Sequence, residues 1–132
     1  MLGAMDAAHA IADLTEISPQ VKRVVVIEAD GSVAGSNVGE EAARRLADGA
    51  RELVSSAEGL RPDVVQLEAA TTVGSVFVVR DGDRLIAATT SPEPTVGLVF
   101  YDLKTCLRSI DPPVAEPKPR TRAKKDADDA AA

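Results

Sequence analysis

The sequence predicts an α+β domain in which five strands, a hairpin followed by a three-strand meander, are covered by helices on both faces. Three observations predict it. Valine-rich runs are joined by Asp-Gly pairs at Asp30-Gly31 and Asp81-Gly82, the signal of tight hairpins. The runs Val76 to Val79 and Leu85 to Ala88 are apolar at every position, so neither face of those strands can meet water. Three further segments carry apolar residues at helical spacing and supply covers for both faces.

The elements follow in order. Ala4, Ala7, Ala8, Ile11 and Leu14 recur at helical spacing, with Asp6, His9, Asp13 and Glu16 on the other side and Pro19 closing the segment. Lys22 to Ala29 reads as a strand, and Asp30-Gly31 as a type I′ turn into a short strand from Ser32 to Ser36. Asn37 stands three residues before Glu40 with the spacing of an N-cap and capping box. Gly59 sits where a C-cap belongs, so a long helix lies between them. After Pro62 come strands at Val64 to Thr71, Ser75 to Arg80 and Arg84 to Thr90. The first of these alternates Val65, Leu67 and Ala69 with Gln66 and Glu68, so one of its faces is polar. A last helix starts after Ser91-Pro92-Glu93-Pro94 and aligns Val96, Val99, Phe100, Leu103, Cys106, Leu107 and Ile110.

In the long helix Ala42, Ala43, Leu46, Ala47, Gly49, Ala50, Leu53, Val54 and Ala57 fill an arc wider than the roughly 100° stripe a surface helix needs. Its alanines alone mark a good helix former. The width reads further as two contacts. Leu46, Gly49 and Leu53 form the larger edge, expected on the sheet, and Ala43, Ala47, Ala50 and Val54 a small edge that lets another helix approach. The outward face carries Glu40, Glu41, Arg44, Arg45, Asp48, Arg51, Glu52 and Glu58. It is either a solvated face laced with i,i+4 pairs or a charged docking surface.

At 132 residues the chain is expected to form one domain, residues 1–110, followed by a disordered tail, 111–132, rich in proline and charge. Residues 1–110 carry 10 Lys/Arg against 16 Asp/Glu, so phosphate-rich partners are disfavoured there. The tail packs Lys118, Arg120, Arg122, Lys124 and Lys125 into eight residues, followed by Asp126, Asp128 and Asp129. It serves solubility, or binds acidic surfaces, nucleic acid included, weakly and salt-sensitively.

One cysteine, Cys106, and one histidine, His9, leave no disulfide and no Cys/His zinc set, and no metal or cofactor is expected. Cys106 reads as a small buried hydrophobe and His9 as a solvated surface residue. There is no basic leader and no apolar run of about 18 residues, so a cytoplasmic protein without membrane insertion is expected. Only Phe77, Phe100 and Tyr101 are aromatic, a poor supply of stacking platforms. No phosphate loop, nucleophile elbow, His pair or Cys pair occurs, so an enzyme is not expected and no catalytic residue is assigned.

The order helix, hairpin, long helix, meander, helix resembles the Roadblock/dynein light-chain family. The stretch VVVIEADGSVAGSN is similar to its opening hairpin, and TTVGSVFVVRDGDRLIAATTSPEPTVGLVFYDLKTCLRSI to its last two strands and closing helix. The likeness covers about Ala4 to Ile110, and the charged tail departs from the minimal domain. It implies a profilin-like, three-layer fold: a five-stranded antiparallel sheet with the long helix on one face and the terminal helices on the other. It also implies a homodimer in which long helices pair and sheets join edge to edge. The expected interface is then Ala43, Ala47, Ala50 and Val54 with Gln66 and Glu68 of the edge strand. Bacterial relatives typically bind or regulate Ras-like small GTPases, some as GTPase-activating partners, others as scaffolds. Arg44, Arg45, Asp48 and Arg51 are the candidate docking residues. A ligand-sensing module of profilin-like or longin-like shape, using the space between sheet and terminal helices, is the other reading.

Overall fold

A computed structural model gives the architecture and describes residues 5–111. The tail expected over 111–132 therefore lies almost wholly outside the described residues. The elements are α1 (Ala7–Ile17), β1 (Val21–Ile27), β2 (Val33–Ser36), α2 (Glu40–Glu58), β3 (Gln66–Thr71), β4 (Gly74–Asp81), β5 (Arg84–Thr90) and α3 (Val96–Arg108). The strands form one antiparallel sheet in the order β2-β1-β5-β4-β3. No helix among the described residues is long and apolar enough to cross a membrane.

Alternate residues of the central strands feed two cores. Val24, Val26, Phe77, Val79, Ile86 and Ala88 point to the side of α1 and α3, where they meet Ile11, Leu14, Val99, Leu103 and Leu107. Val25, Ile27, Val78, Leu85 and Ala87 point to α2. Phe77 and Phe100 meet edge to face with ring centroids 4.9 Å apart. The three-layer arrangement is thus the one the uninterrupted apolar runs call for.

On α2 the expected edges are exchanged. Ala43, Ala47, Ala50 and Val54 are each 5% exposed or less and lie on the sheet. Leu46 and Leu53 are only half-buried and Gly49 is exposed. The physical reason is that the sheet itself supplies bulk beneath α2, through Val25, Ile27, Val78 and Leu85. A helix can approach such a surface closely only with small side chains. The four residues assigned above to a second helix are therefore used within the chain.

Local differences have equally specific causes. Asn37 does not cap α2; Gly39 stands at the N-cap, with no side-chain cap bond. The Asn37 side chain instead continues the pairing of β2 with β1: Oδ1 accepts from the Val24 N–H and Nδ2 donates to the Lys22 carbonyl, each at 2.8 Å. Gly59 does stand at the C-cap, in right-handed conformation. The β1–β2 connection is not a two-residue type I′ turn, because Asp30 has no positive φ. Gly31, at φ +90°, ends a three-residue loop closed by the Glu28 N–H on the Ser32 carbonyl at 2.9 Å. Asp63 takes up positive φ before β3, which begins at Gln66 rather than Val64. Helix α1 is capped by Asp6, whose carboxylate accepts the His9 N–H at 2.9 Å. That bond holds the Asp6 carboxyl below its ordinary range. Ala10 rather than Ala8 belongs to the buried stripe of α1, and Ala4 lies outside the described residues.

Two outcomes follow from these contacts. Ala47→Leu forces a larger side chain between α2 and the sheet and is expected to cost about 1–3 kcal/mol of unfolding free energy in a urea titration. Asn37→Ala removes both side-chain bonds to β1 and is expected to cost about 1–2 kcal/mol by the same measurement.

Candidate functional site

The outward part of α2 holds the candidate docking residues, and the structure divides them. Arg45 stands furthest from the sheet, 3.5 Å from Glu41. Arg44 reaches Glu40 at 3.9 Å. Both pairs are solvent-exposed, so they hold the guanidinium groups weakly and leave them able to meet another partner. Arg44 and Asp48 also line a cleft of about 660 Å³ between α2 and β2. Arg51 is turned away from this group. Its guanidinium lies over the β1–β2 loop, close enough that a Cβ on Gly31 would sit 2.7 Å from Nη1. Asp30 in that loop is held below the usual carboxylate range, first by the Ser32 hydroxyl and backbone N–H and, more weakly, by Arg51. The structure thus brings Arg44, Arg45 and Asp48 onto one surface and commits Arg51 to the loop.

The two flanks of α2 differ. Arg44, Asp48 and Arg51 mark the flank toward β2 and its loop. At 100° per residue, Ala42, Leu46, Gly49 and Leu53 lie on the opposite flank, toward β3. Helix α2 packs chiefly on β1, β2 and β5. Leu67 of β3 and Val76 of β4 are only half-buried at the border of the α2 core, as is Ala69 beside them. A partly covered apolar strip therefore runs from the α2 flank across the same face of β4 and β3. Beyond it lies the open edge of β3, which among the described residues pairs with β4 alone. Gln66 and Glu68 are exposed on the opposite face of β3, where Glu68 accepts the Ser75 hydroxyl at 3.0 Å.

The space between the sheet and the terminal helices is filled by side chains that are 2% exposed or less, among them Phe77, Ile86, Leu14 and Leu103. Among the described residues its middle is closed, and the cavities lie at its margins. Cys106 lies at the border of this core; burial, and secondly the charge of Asp13, push its thiol up to about 12. A thiol so shifted is a poor nucleophile near neutral pH. His9 is exposed, beside Asp6 at 3.3 Å. Sequence reasoning passed over Asp102, a carboxylate 8% exposed within the otherwise apolar inner stripe of α3.

Several solved structures share this fold. A Roadblock/LC7 domain from Streptomyces avermitilis is 19% identical, with 80% of this chain and 93% of that one covered at a TM-score of 0.67. MglB of Myxococcus xanthus is 16% identical, with 78% and 83% covered at 0.64. An MglB described in a tetrameric arrangement is 14% identical, with 76% and 81% covered at 0.58. No protein-family model matches the chain, and no curated protein does. At such identities the likeness speaks for architecture. The chain has the Roadblock/LC7 fold.

Proposed function

We propose that this chain is a non-catalytic homodimer that binds a Ras-like small GTPase, as a regulator or scaffold. The observation that carries the dimer is the half-covered apolar strip of Leu46, Leu53, Leu67 and Val76 beside the open edge of β3. A second copy of the chain, related by a two-fold axis, answers both needs at once. Its α2 lies along the first over this strip, and its β3 pairs with the first at the sheet edge. The interface is thus Ala42, Leu46, Gly49 and Leu53 with the β3 edge, in place of the Ala43, Ala47, Ala50 and Val54 edge that lies on the sheet. The tetrameric MglB offers a precedent for assembly among proteins of this fold.

The GTPase reading rests on the resemblance to the Roadblock family and on the outward face of α2. Pairing two α2 helices through the flank toward β3 leaves Arg45 on the outward face of each helix, with Arg44 and Asp48 on the outer flanks, clear of the pairing. Arginines held only by exposed ion pairs can exchange those partners for acidic groups of a docking protein. If hydrolysis is stimulated, Arg44 can act directly as a donated arginine, or the dimer can order the machinery of the GTPase itself. The ligand-sensor reading would use not the filled middle of the space between sheet and terminal helices but the cavity of about 670 Å³ where the end of α3 meets the hairpin ends of the sheet.

Gly49→Arg tests the dimer without disturbing the monomer. Gly49 is exposed, nothing lies within 4 Å of an added Cβ, and arginine is the better helix former. Light scattering should find two chains in the native particle and one in the variant; an unchanged dimer would sink the proposed interface. The partner is tested by pull-down from the native cell extract, with GDP in one arm and a non-hydrolysable GTP analogue in the other. A small GTPase enriched in one arm, and depleted about ten-fold or more by Arg44→Glu with Arg45→Glu, a loss of about 1.4 kcal/mol, is the expected result. Absence of any GTPase from both arms, or retention indifferent to the double variant, counts against the reading.

A further inference from the structure

A groove of about 310 Å³ runs between α1 and α3, on the sheet face opposite α2. Its floor is apolar, with Ala10, Leu14 and Cys106, and three carboxylates stand on it: Asp13 and Glu16 from α1 and Asp102 from α3. None of the three has an ion-pair or side-chain hydrogen-bond partner among the described residues, although Asp102 is 8% exposed. Asp102 keeps only a small opening to solvent, at the groove, and a cation brought beside it there is less screened than on an open surface. A cavity of about 670 Å³ at the hairpin end of the sheet differs in that its carboxylates are largely paired. There Glu28 already pairs with Arg84 at 3.1 Å and Asp81 with Arg108 at 3.7 Å.

The described chain ends at the mouth of the groove. The Asp111 N–H donates to the carbonyl of Met5 at 3.0 Å, and Met5 and Ser109 both line the groove. Seven residues beyond Asp111, at Lys118, begins the densest run of positive charge in the sequence. Seven residues of extended chain span roughly 25 Å, whereas the helical stretch from Ser109 back to Asp102 is about 10 Å long. The run can therefore reach every carboxylate of the groove. Lys118, Arg120, Arg122 and Lys124 occupy alternate positions, so an extended segment turns all four toward one side.

We propose that the basic segment 118–125 of this chain docks in cis into the α1/α3 groove, with its cations on Asp13, Glu16 and Asp102. Docked there, the segment lies on the far side of the sheet from α2 and leaves the charged face of that helix clear. Its hold is electrostatic, so rising salt releases it and frees the cations for other acidic surfaces.

Zero-length carbodiimide coupling of the full-length protein tests this directly, on an equal mixture of light and heavy isotope-labelled chains at low ionic strength. The expected products join Lys118, Lys124 or Lys125 to Asp13, Glu16 or Asp102 within chains of one label, and disappear at 1 M salt, where charges are screened beyond about 3 Å. Tail links confined to other carboxylates, or links mixing the two labels as often as not, overturn the proposal. A second measurement needs no cross-link. In the full-length chain with all five cations changed to Gln, Cys106 on the groove floor should alkylate several-fold faster than in the native protein. Equal rates also overturn it.

Discussion

A central strand apolar on both faces is the constraint from which the remainder of this structure follows. Val24, Val25 and Val26 of β1 are completely buried, and β5 beside it presents Ile86, Ala87 and Ala88 in the same state. Water can touch neither face, so two helical layers must be present, and the chain divides them as α2 on one side and α1 with α3 on the other. Close approach then selects small residues wherever a cover meets backbone. Gly35 of β2 admits Ala7 of α1, since a Cβ on Gly35 would lie 2.8 Å from that of Ala7. Gly74 opens β4 at φ +143°, with the Thr90 carbonyl oxygen 2.1 Å from where a Cβ would be. At Gly35 the limit is the close approach of α1, and at Gly74 it is the neighbouring strand β5 together with the positive φ.

Most of this was legible in the residue pattern, because patterning with period 2 or 3.6 reports burial directly. The eight elements and their order follow from it, and so do the two buried faces of β4 and β5. The pattern could not say which edge of a broad apolar arc lies inward. Assigning Leu46 and Leu53 to the sheet assumed that bulk on the helix drives burial. In fact Val25, Ile27, Val78 and Leu85 already fill that side, and the alanines of α2 complete it. Asn37 failed for a related reason. Its side chain suits a helix cap or a backbone pair equally well, and only the nearness of Lys22 and Val24, far back in the sequence, decides for the pair.

The surfaces were legible to a lesser degree. Charges at i,i+4 on α2 identified an exposed face, and Arg44 and Arg45 stand on it. Arg51 belongs to the same face by angle, yet it folds over the Asp30-Gly31 loop, a tertiary contact that no helical wheel contains. Asp102 carried a signal that went unread. A single acid between Val99, Leu103 and Cys106 interrupts an apolar stripe, which marks the place where that stripe opens to the groove beside α1.

The two sides of the sheet thus differ in how they are covered. On the α2 side, cover is incomplete: the helix stops short of β3, and Leu46, Leu53, Leu67 and Val76 there stay half-buried. On the other side, α1 and α3 bury the apolar faces of β1, β5 and β4 and leave Gln66 and Glu68 of β3 exposed, and the ends of the described chain are gathered there. Met5 and Ile110 form a parallel bridge, and Arg84 fastens it. That arginine binds Glu28 through Nε at 3.1 Å and donates from its two Nη atoms to the carbonyls of Ile110 and Asp111. Guanidinium geometry allows one side chain to hold the β1–β2 loop and the exit of α3 together, which lysine could not do. Fixing Asp111 in this way sets where the following residues must start. The main chain at Asp111 is thereby held beside the groove of α1 and α3, across the sheet from α2.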